Sequence, residues 1–268
     1  MTDSPERRTI KSVERAHEII ECLRRTDGAR LSTVADAVGL TPGSTHTYLS
    51  TLRRMGYVVK ADGRYELGPE LVTLGEYVRN HSALYRAAKE EVDRLAEKTD
   101  EAVHLVVEHD GQGIALYERL GAEAIGTEYH RELRQQPHQH LHCTASGKAI
   151  LAQLSESRVR DVLDRRGLAP KTPNTITDRE TLLEELETVR EQGYAVNDEE
   201  ELLGIVAVGA SITDGNGEVV GSIAISAPKT RMDEEAFRAE LVELVSRAAN
   251  VSEVNLQTSE LRGELAEE

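Results

Sequence analysis

No tryptophan, a single phenylalanine and only two cysteines occur among the 268 residues. Cys22 and Cys143 are too few for a disulfide framework. No run of 18 apolar residues is present, which excludes a transmembrane helix of the usual kind. The opening MTDSPERRTIKSVERA has no apolar core and does not read as a secretory signal. These absences lead to the expectation of a cytoplasmic protein. No HExxH, no Ser-His-Asp order and no paired-acid motif is found, and the clusters Asp198-Glu199-Glu200-Glu201 and Asp233-Glu234-Glu235 read as solvated faces, so catalysis is not expected. No internal repeat or low-complexity segment is evident.

Charge is abundant but uneven. The formal net charge is −16, yet residues 1–80 carry 12 Lys+Arg against 11 Asp+Glu, and residues 81–268 carry 20 against 37. The N-terminal part is thus spared the acidity of the rest. Of the 32 basic residues only 7 are Lys. Heavy acidity with few lysines and few large aromatics fits a halophilic protein, kept soluble in high intracellular salt; an ordinary acidic protein is the plainer reading. Salt weakens phosphate contacts steeply, so a DNA-binding segment in such a cell leans on base-edge and shape contacts.

The first 68 residues read as three short helices and a hairpin. Ser12 is a candidate cap for a helix to about Arg25, with Val13, Ala16, Ile20 and Leu23 on one face. Leu31, Val34, Ala35 and Val38 mark a second helix, Gly39-Leu40-Thr41 a turn, and Pro42 the first position of a third helix to about Met55. In that helix Leu49 and Leu52 face inward. Ser44, Thr47, Tyr48 and Thr51 fall opposite, with hydroxyls suited to base edges or phosphates and no carboxylate to repel DNA. Asp62-Gly63 between two β-prone runs signals a hairpin, a wing with Arg64 at its tip placed for a minor groove or phosphate. A plain three-helix interaction domain is the alternative reading.

SVERAHEII, LSTVADAVGLTPGSTHTYLSTLRRMGYV and YELGPELVTLG resemble the head and linker of the IclR family of transcriptional regulators. The resemblance implies that Arg15 meets backbone phosphate and that Thr41 to Tyr48 enter a major groove. The expected DNA-contacting set is Arg15, Thr41, Gly43, Ser44, Thr45, Thr47, Tyr48, Arg53 and Arg64. The chain departs from the family pattern at Gly43, where a basic residue is frequent, and at Thr47-Tyr48, where His-Arg is common. His46 reads as a helix-edge packing residue.

Leu71, Leu74, Val78 and Leu84 suggest a linker helix from Pro69 to about Asn80 and a second helix from Ser82 to Lys98. Strands are expected at Ala102–Glu108 and Gly113–Arg119, helices at Thr144–Leu154 and Glu156–Arg166, and a Thr177-x-x-Glu180 capping box opens a helix to about Gln192. Tyr194–Asn197, Ile205–Thr213 and Val219–Ser226 read as strands and Glu234–Val251 as a last helix. The fold class is therefore α+β: a winged helix-turn-helix (1–68), a linker helix (69–81), an α+β domain (82–256) that the resemblance implies to be GAF-like and effector-binding, and an acidic tail (257–268). The string LHCTASGKAIL, residues 141–151, belongs to the same family resemblance, which covers residues 12–252.

Thr144-Ala145-Ser146-Gly147 opens a helix whose free N–H groups and dipole favour an anion. A plain helix cap with close packing is an equal reading, and His142 in place of an upstream glycine argues against a nucleotide-phosphate loop. By resemblance the effector pocket involves Ala145, Ser146, Asn197, Ala207, Ala224 and Ser226. Family members that sense small carboxylates place Asp, Cys and Ser where this chain has Asn197, Ala207 and Ala224. A less polar or roomier pocket follows, suited to a sugar acid, an aromatic or another metabolite rather than a glyoxylate-like or pyruvate-like one. His138, His140 and His142 would share one face of a strand beside Cys143, with His130 nearby, a set suited to a transition metal. That is the alternative function, a metal- or redox-sensing regulator; surface or pocket-lining histidines are the main reading, and no cofactor is expected. The expected partners are a double-stranded DNA operator, a small-molecule effector and a second copy of the chain, as a homodimer or homotetramer.

Overall fold

A computed structural model describes residues 9–124 and 140–267 and divides the chain into two compact units, Met1–Arg79 and Asn80–Glu268. In the first unit, α1 (Lys11–Arg25), α2 (Leu31–Val38) and α3 (Pro42–Arg54) precede a two-stranded antiparallel hairpin, β1 (Val58–Ala61) and β2 (Arg64–Leu67). Asp62 (φ 50°) and Gly63 (φ 79°) both take positive φ at its tip, the backbone a two-residue right-twisting hairpin needs. The core joins Ile19, Cys22 and Leu23 of α1 to Val34, Val38, Leu49, Leu52, Val58 and Tyr65. Two expectations for α1 are corrected. Ile10, not Ser12, stands at the N-cap and gives no side-chain cap, because the helix begins at Lys11. Val13 is 64% exposed, because the buried stripe runs through Ile19, Cys22 and Leu23 instead.

Helix α4 (Glu70–His81) carries no buried residue. The second unit opens with α5 (Ala83–Thr99), capped by Ser82, whose hydroxyl accepts from the Tyr85 N–H. Then follow β3 (Ala102–His109), β4 (Gln112–Leu120), a 3-10 turn at Leu141–Cys143, α6 (Ala145–Gln153), α7 (Glu156–Arg166), α8 (Arg179–Gln192), β5 (Ala195–Asp198), β6 (Ile205–Thr213), β7 (Val219–Pro228), the single turn α9 (Lys229–Met232) and α10 (Glu235–Glu267).

The five strands form one antiparallel sheet in the order β4-β3-β7-β6-β5. Period-2 alternation gives it two different faces. Val103, Leu105, Val208, Ile223 and Ile225 pack on α5 and α10. The opposite face receives α6, behind which α7 and α8 build a second core from Leu151, Val159, Leu163, Leu182 and Leu186. The expected cap of α8 moves by one residue: Asp178, not Thr177, accepts from the Thr181 N–H at 2.9 Å. The expected end of the last helix near Val251 is also corrected. Helix α10 runs on because its buried stripe continues through Ala248, Ala249, Ser252 and Leu256.

Candidate functional site

In the first unit α3 is set by its cap. The Thr41 hydroxyl accepts from the Ser44 N–H at 3.2 Å, with Pro42 in the first helical position. Burial then fixes the faces. Thr45, Leu49 and Leu52 point inward, so the expected contact of Thr45 with DNA is corrected: it is fully buried, and its hydroxyl donates to the Thr41 carbonyl at 3.0 Å. Opposite that stripe lie Gly43, Thr47, Ser50 and Arg54 at i, i+4, i+7 and i+11, three of them exposed and Ser50 half-buried. Ser50 and Arg54 were missed by the sequence reading, although the row opposite Thr45-Leu49-Leu52 contains them. Arg53 is exposed on the last turn of α3.

Tyr48 is half-buried against the head core rather than freely presented. With Val13, Ala16, Ile20, Leu52 and Met55 it lines an apolar groove of about 700 Å³ between α1 and α3. His46 is exposed, contrary to the packing role expected, with Nδ1 3.5 Å from the Ser50 hydroxyl. The hydroxyls of Thr47 and Thr51 donate back to the Gly43 and Thr47 carbonyls at 3.1 and 2.9 Å. Their protons are engaged, so outward they act as acceptors, complementary to the amino groups of adenine and cytosine in a major groove.

The two arginines expected on phosphate are tied within the head. One Arg15 nitrogen donates to Glu18 at 2.5 Å and to the Val38 carbonyl at 3.1 Å. Arg64 is exposed but does not reach out from the wing tip. Its Nη2 donates to the Gly28 and Asp27 carbonyls at 2.6 and 3.2 Å, because the hairpin returns alongside the α1–α2 turn.

In the second unit the Thr144 hydroxyl accepts from the Gly147 N–H at 3.0 Å. The N–H groups of Ala145 and Ser146 then have no intrahelical partner. The helix start sits directly on the sheet: a Cβ on Gly209 would lie 3.0 Å from the Ala145 carbonyl carbon. Ala145, Ala207 and Ala224 pack together as a small buried cluster. Strand register sets Ala102, Ser226, Ala207 and Asn197 in one row across the sheet, and Glu118, His104, Ala224 and Gly209 in the next row on the same face. The six positions of the expected effector set are thus gathered at one place, with Ser146 and Asn197 buried and Ser226 half-buried.

Two groups near this face were not found from the sequence. His104 and Glu118 are a buried cross-strand pair, Nδ1 to Oε1 3.2 Å. Their apolar neighbours hid the phase, and only the register reveals the pairing. Glu101, beside Ala102, is buried against Arg231, whose Nη2 lies 2.8 Å from Oε1. Burial pushes this carboxyl up to about 7 against the pull of Arg231. A carboxyl whose folded value is raised favours folding while protonated, so its contribution is present below the ordinary glutamate range and lost as pH rises through about 7. Glu101→Gln is expected to flatten the loss of stability between about pH 4.5 and 7; thermal unfolding across that range would show an unchanged slope if Glu101 were not the group responsible.

In the described part of the histidine motif, Leu141–Cys143 is a 3-10 turn rather than the strand that would align the rings. His140 and His142 meet edge to face, centroids 5.5 Å apart. The His142 Nε2 lies 3.2 Å from the Ala169 carbonyl, and burial lowers this ring to about 4. Burial, with Glu201 and Glu200 nearby, pushes the Cys143 thiol up to about 12, far from the thiolate that binds metal or reacts. His138 and His130 lie outside the described residues. Among the described residues no three His, Cys, Asp or Glu side chains are grouped to hold a metal ion, and no helix is long and apolar enough to cross a membrane.

A helix-turn-helix head followed by a sheet domain whose α6 starts over small strand residues is the arrangement of a DNA-binding transcriptional regulator. The model of the IclR helix-turn-helix domain matches residues 12–62, and that of the bacterial transcriptional regulator IclR C-terminal domain matches residues 76–253. The chain belongs to the IclR family. It is similar to the probable HTH-type transcriptional regulator ArcR of Halobacterium salinarum, 42% identical over 95% of this chain and 97% of that one. It is also similar to the transcriptional regulator XynR of Escherichia coli, 28% identical over 84% and 89%. Among solved structures the Thermotoga maritima IclR aligns with TM-score 0.73 at 28% identity, covering 92% of this chain and 99% of that one. An IclR homolog complexed with 4-hydroxybenzoate, from Microbacterium hydrocarbonoxydans, shares the fold at TM-score 0.77 and 20% identity, over 91% and 98%. These families and relatives are regulators of transcription, not enzymes.

Proposed function

We propose that this chain is a ligand-responsive regulator that binds a two-fold operator as a homo-oligomer and senses a small metabolite on the α6 face of its GAF-like domain. The observation that carries the reading is the coexistence of two surfaces in one chain. One is an outward row on α3 free of carboxylates, Gly43, Thr47 and Arg54 exposed and Ser50 half-buried. The other is a sheet face where Ser146, Asn197 and Ser226 surround three touching alanines. The aromatic acid in the Microbacterium homolog makes a small organic acid a reasonable class to test first. Titrating a metabolite panel against a protein–operator complex tests the sensing, and release or tightening by at least one small molecule is the expected result.

A second copy of the chain is the proposed oligomeric partner. Helix α4 exposes Val72 (66%), Tyr77 (62%) and Val78 (65%), and the head offers the apolar groove between α1 and α3. Apolar surface of this extent marks an association site. The joint variant Tyr77→Asp, Val78→Asp is expected to give monomers in light scattering. Operator affinity should fall about 100-fold as the second half-site contact is lost. A dimer of full affinity would contradict the assignment. The halobacterial relative and the acidic composition support work in a salt-rich cytoplasm, where acceptor contacts from Thr47 outweigh phosphate contacts that salt erodes.

A further inference from the structure

Thr47 and Thr51 turn their hydroxyl protons back onto the carbonyls of α3, but Ser50 does not. The one hydrogen bond of its side chain among the described residues joins it to His46 Nδ1, a helical turn earlier, at 3.5 Å. His46, Ser50 and Arg53 stand at i, i+4 and i+7 on one flank of the outward row, His46 and Arg53 exposed and Ser50 half-buried. The other flank, with Ser44, Tyr48, Thr51 and Met55, lines the groove toward α1. No residue of α3 is acidic, and Arg53 gives the His46 flank a positive charge, so nothing on it repels DNA. A hydroxyl whose proton is not spent on the backbone can give it to Nδ1. A neutral imidazole that accepts at Nδ1 carries its own proton on Nε2, and there it is a donor. This flank therefore offers a donor where Thr47 and Thr51 offer acceptors.

We infer that His46 is a base-reading residue and Ser50 its positioning residue: the Ser50 hydroxyl holds the ring at Nδ1, and the Nε2–H group donates to a guanine in the major groove. The inference rests on the reading of α3 as the DNA-contacting helix and adds one base and the residues that select it. Guanine follows from the chemistry of a single donor. Its major-groove edge carries two acceptors side by side, N7 and O6. Adenine sets an amino group beside N7, cytosine shows an amino group, and thymine flanks its one acceptor with a methyl group. An N–H aimed at any of these meets another N–H or an apolar carbon. With His46 as donor and Thr47 as acceptor, neighbouring positions of α3 answer opposite halves of the major-groove pattern.

The test selects binding sites from a random DNA pool with the full-length wild type and with His46→Ala, a substitution at an exposed position that should leave the melting temperature in place. The wild type should enrich a motif with one guanine fixed in each half-site, and His46→Ala should keep the rest of the motif and lose that guanine alone. In fluorescence anisotropy the wild type should bind this site about tenfold more tightly than the same site with that G·C pair changed to A·T. His46→Ala should bind the two alike. Long-range 15N–1H spectra of the histidine-labelled chain at mildly alkaline pH, with the His46 ring assigned by its loss in His46→Ala, should show the proton on Nε2. Ser50→Ala should shift the His46 Nδ1 signal and lower the guanine preference. A wild-type ring protonated on Nδ1, or an Nδ1 signal unmoved in Ser50→Ala, would overturn the positioning role. If the wild type selects no motif, the reading of α3 itself fails and the inference with it. If a motif is selected and His46→Ala selects it unchanged, the assignment of His46 alone is overturned. Loss of a base other than guanine overturns the guanine assignment, and equal weakening on every sequence would make His46 a backbone contact instead.

Discussion

Gly147→Ala should destabilise the second unit by about 3 kcal/mol, the upper range for forcing an extra carbon into a packed site. A Cβ there would stand 2.2 Å from the Leu141 carbonyl oxygen and 2.4 Å from its Cα. Both are backbone atoms, so no side-chain rotation relieves the clash. Nor can α6 back away along the sheet, because its first turn already sits against Gly209 and the alanine cluster. For a unit of this size the melting temperature should fall by roughly 6–12 °C. A fall within 2 °C of wild type would mean that the 3-10 turn and α6 are joined differently. Gly147 therefore serves packing: it lets the turn that buries His142 and Cys143 lie across the start of the helix presenting Ser146.

The other large effect is expected at the head. Thr47→Glu places a carboxylate in the middle of the outward row of α3 and should lower operator affinity by at least about 100-fold, through repulsion from phosphate and displacement of the hydroxyl that meets the base edge. The position is exposed, so the melting temperature should hardly change. Arg54→Ala should act differently, weakening binding alike on all sequences and lowering the salt slope by about 1. Fluorescence anisotropy over a range of salt separates the two. Full affinity in Thr47→Glu would remove α3 from the DNA contact.

How much of this was legible in the chain depended on whether the signal was local. Pro42 after Thr41, the Asp62-Gly63 turn and the Thr144 cap act within four residues, and each was read in place. The resemblance carried over from family motifs also gathered Ala145, Asn197, Ala207, Ala224 and Ser226, which only the register unites. Facing was harder. Thr45 resembles its exposed neighbours in chemistry, and only the packing of α3 on α1 and α2 shows that it is the inward member. Arg64 read as a free cation because its acceptors are backbone carbonyls, which have no sequence signature; Arg15 is held by the Val38 carbonyl in the same way and also by Glu18, three residues on. The pairs His104–Glu118 and Lys148–Glu200 join residues far apart in sequence, so neither spacing nor composition could announce them. The alternative drawn from the histidine string rested on a period-2 strand, and at Leu141–Cys143 a 3-10 turn leading into α6 stands in its place.

The central claim is that this chain reads DNA sequence through α3 as a two-fold pair. In vitro selection from a random DNA pool with the full-length protein, run in parallel with Thr47→Glu, tests it most directly. The account predicts enrichment of a two-fold symmetric motif whose half-site centres lie about 34 Å apart or at a multiple of that spacing, with no enrichment by Thr47→Glu. Failure of the wild-type protein to enrich any motif, or equal enrichment of the same motif by both proteins, would contradict it.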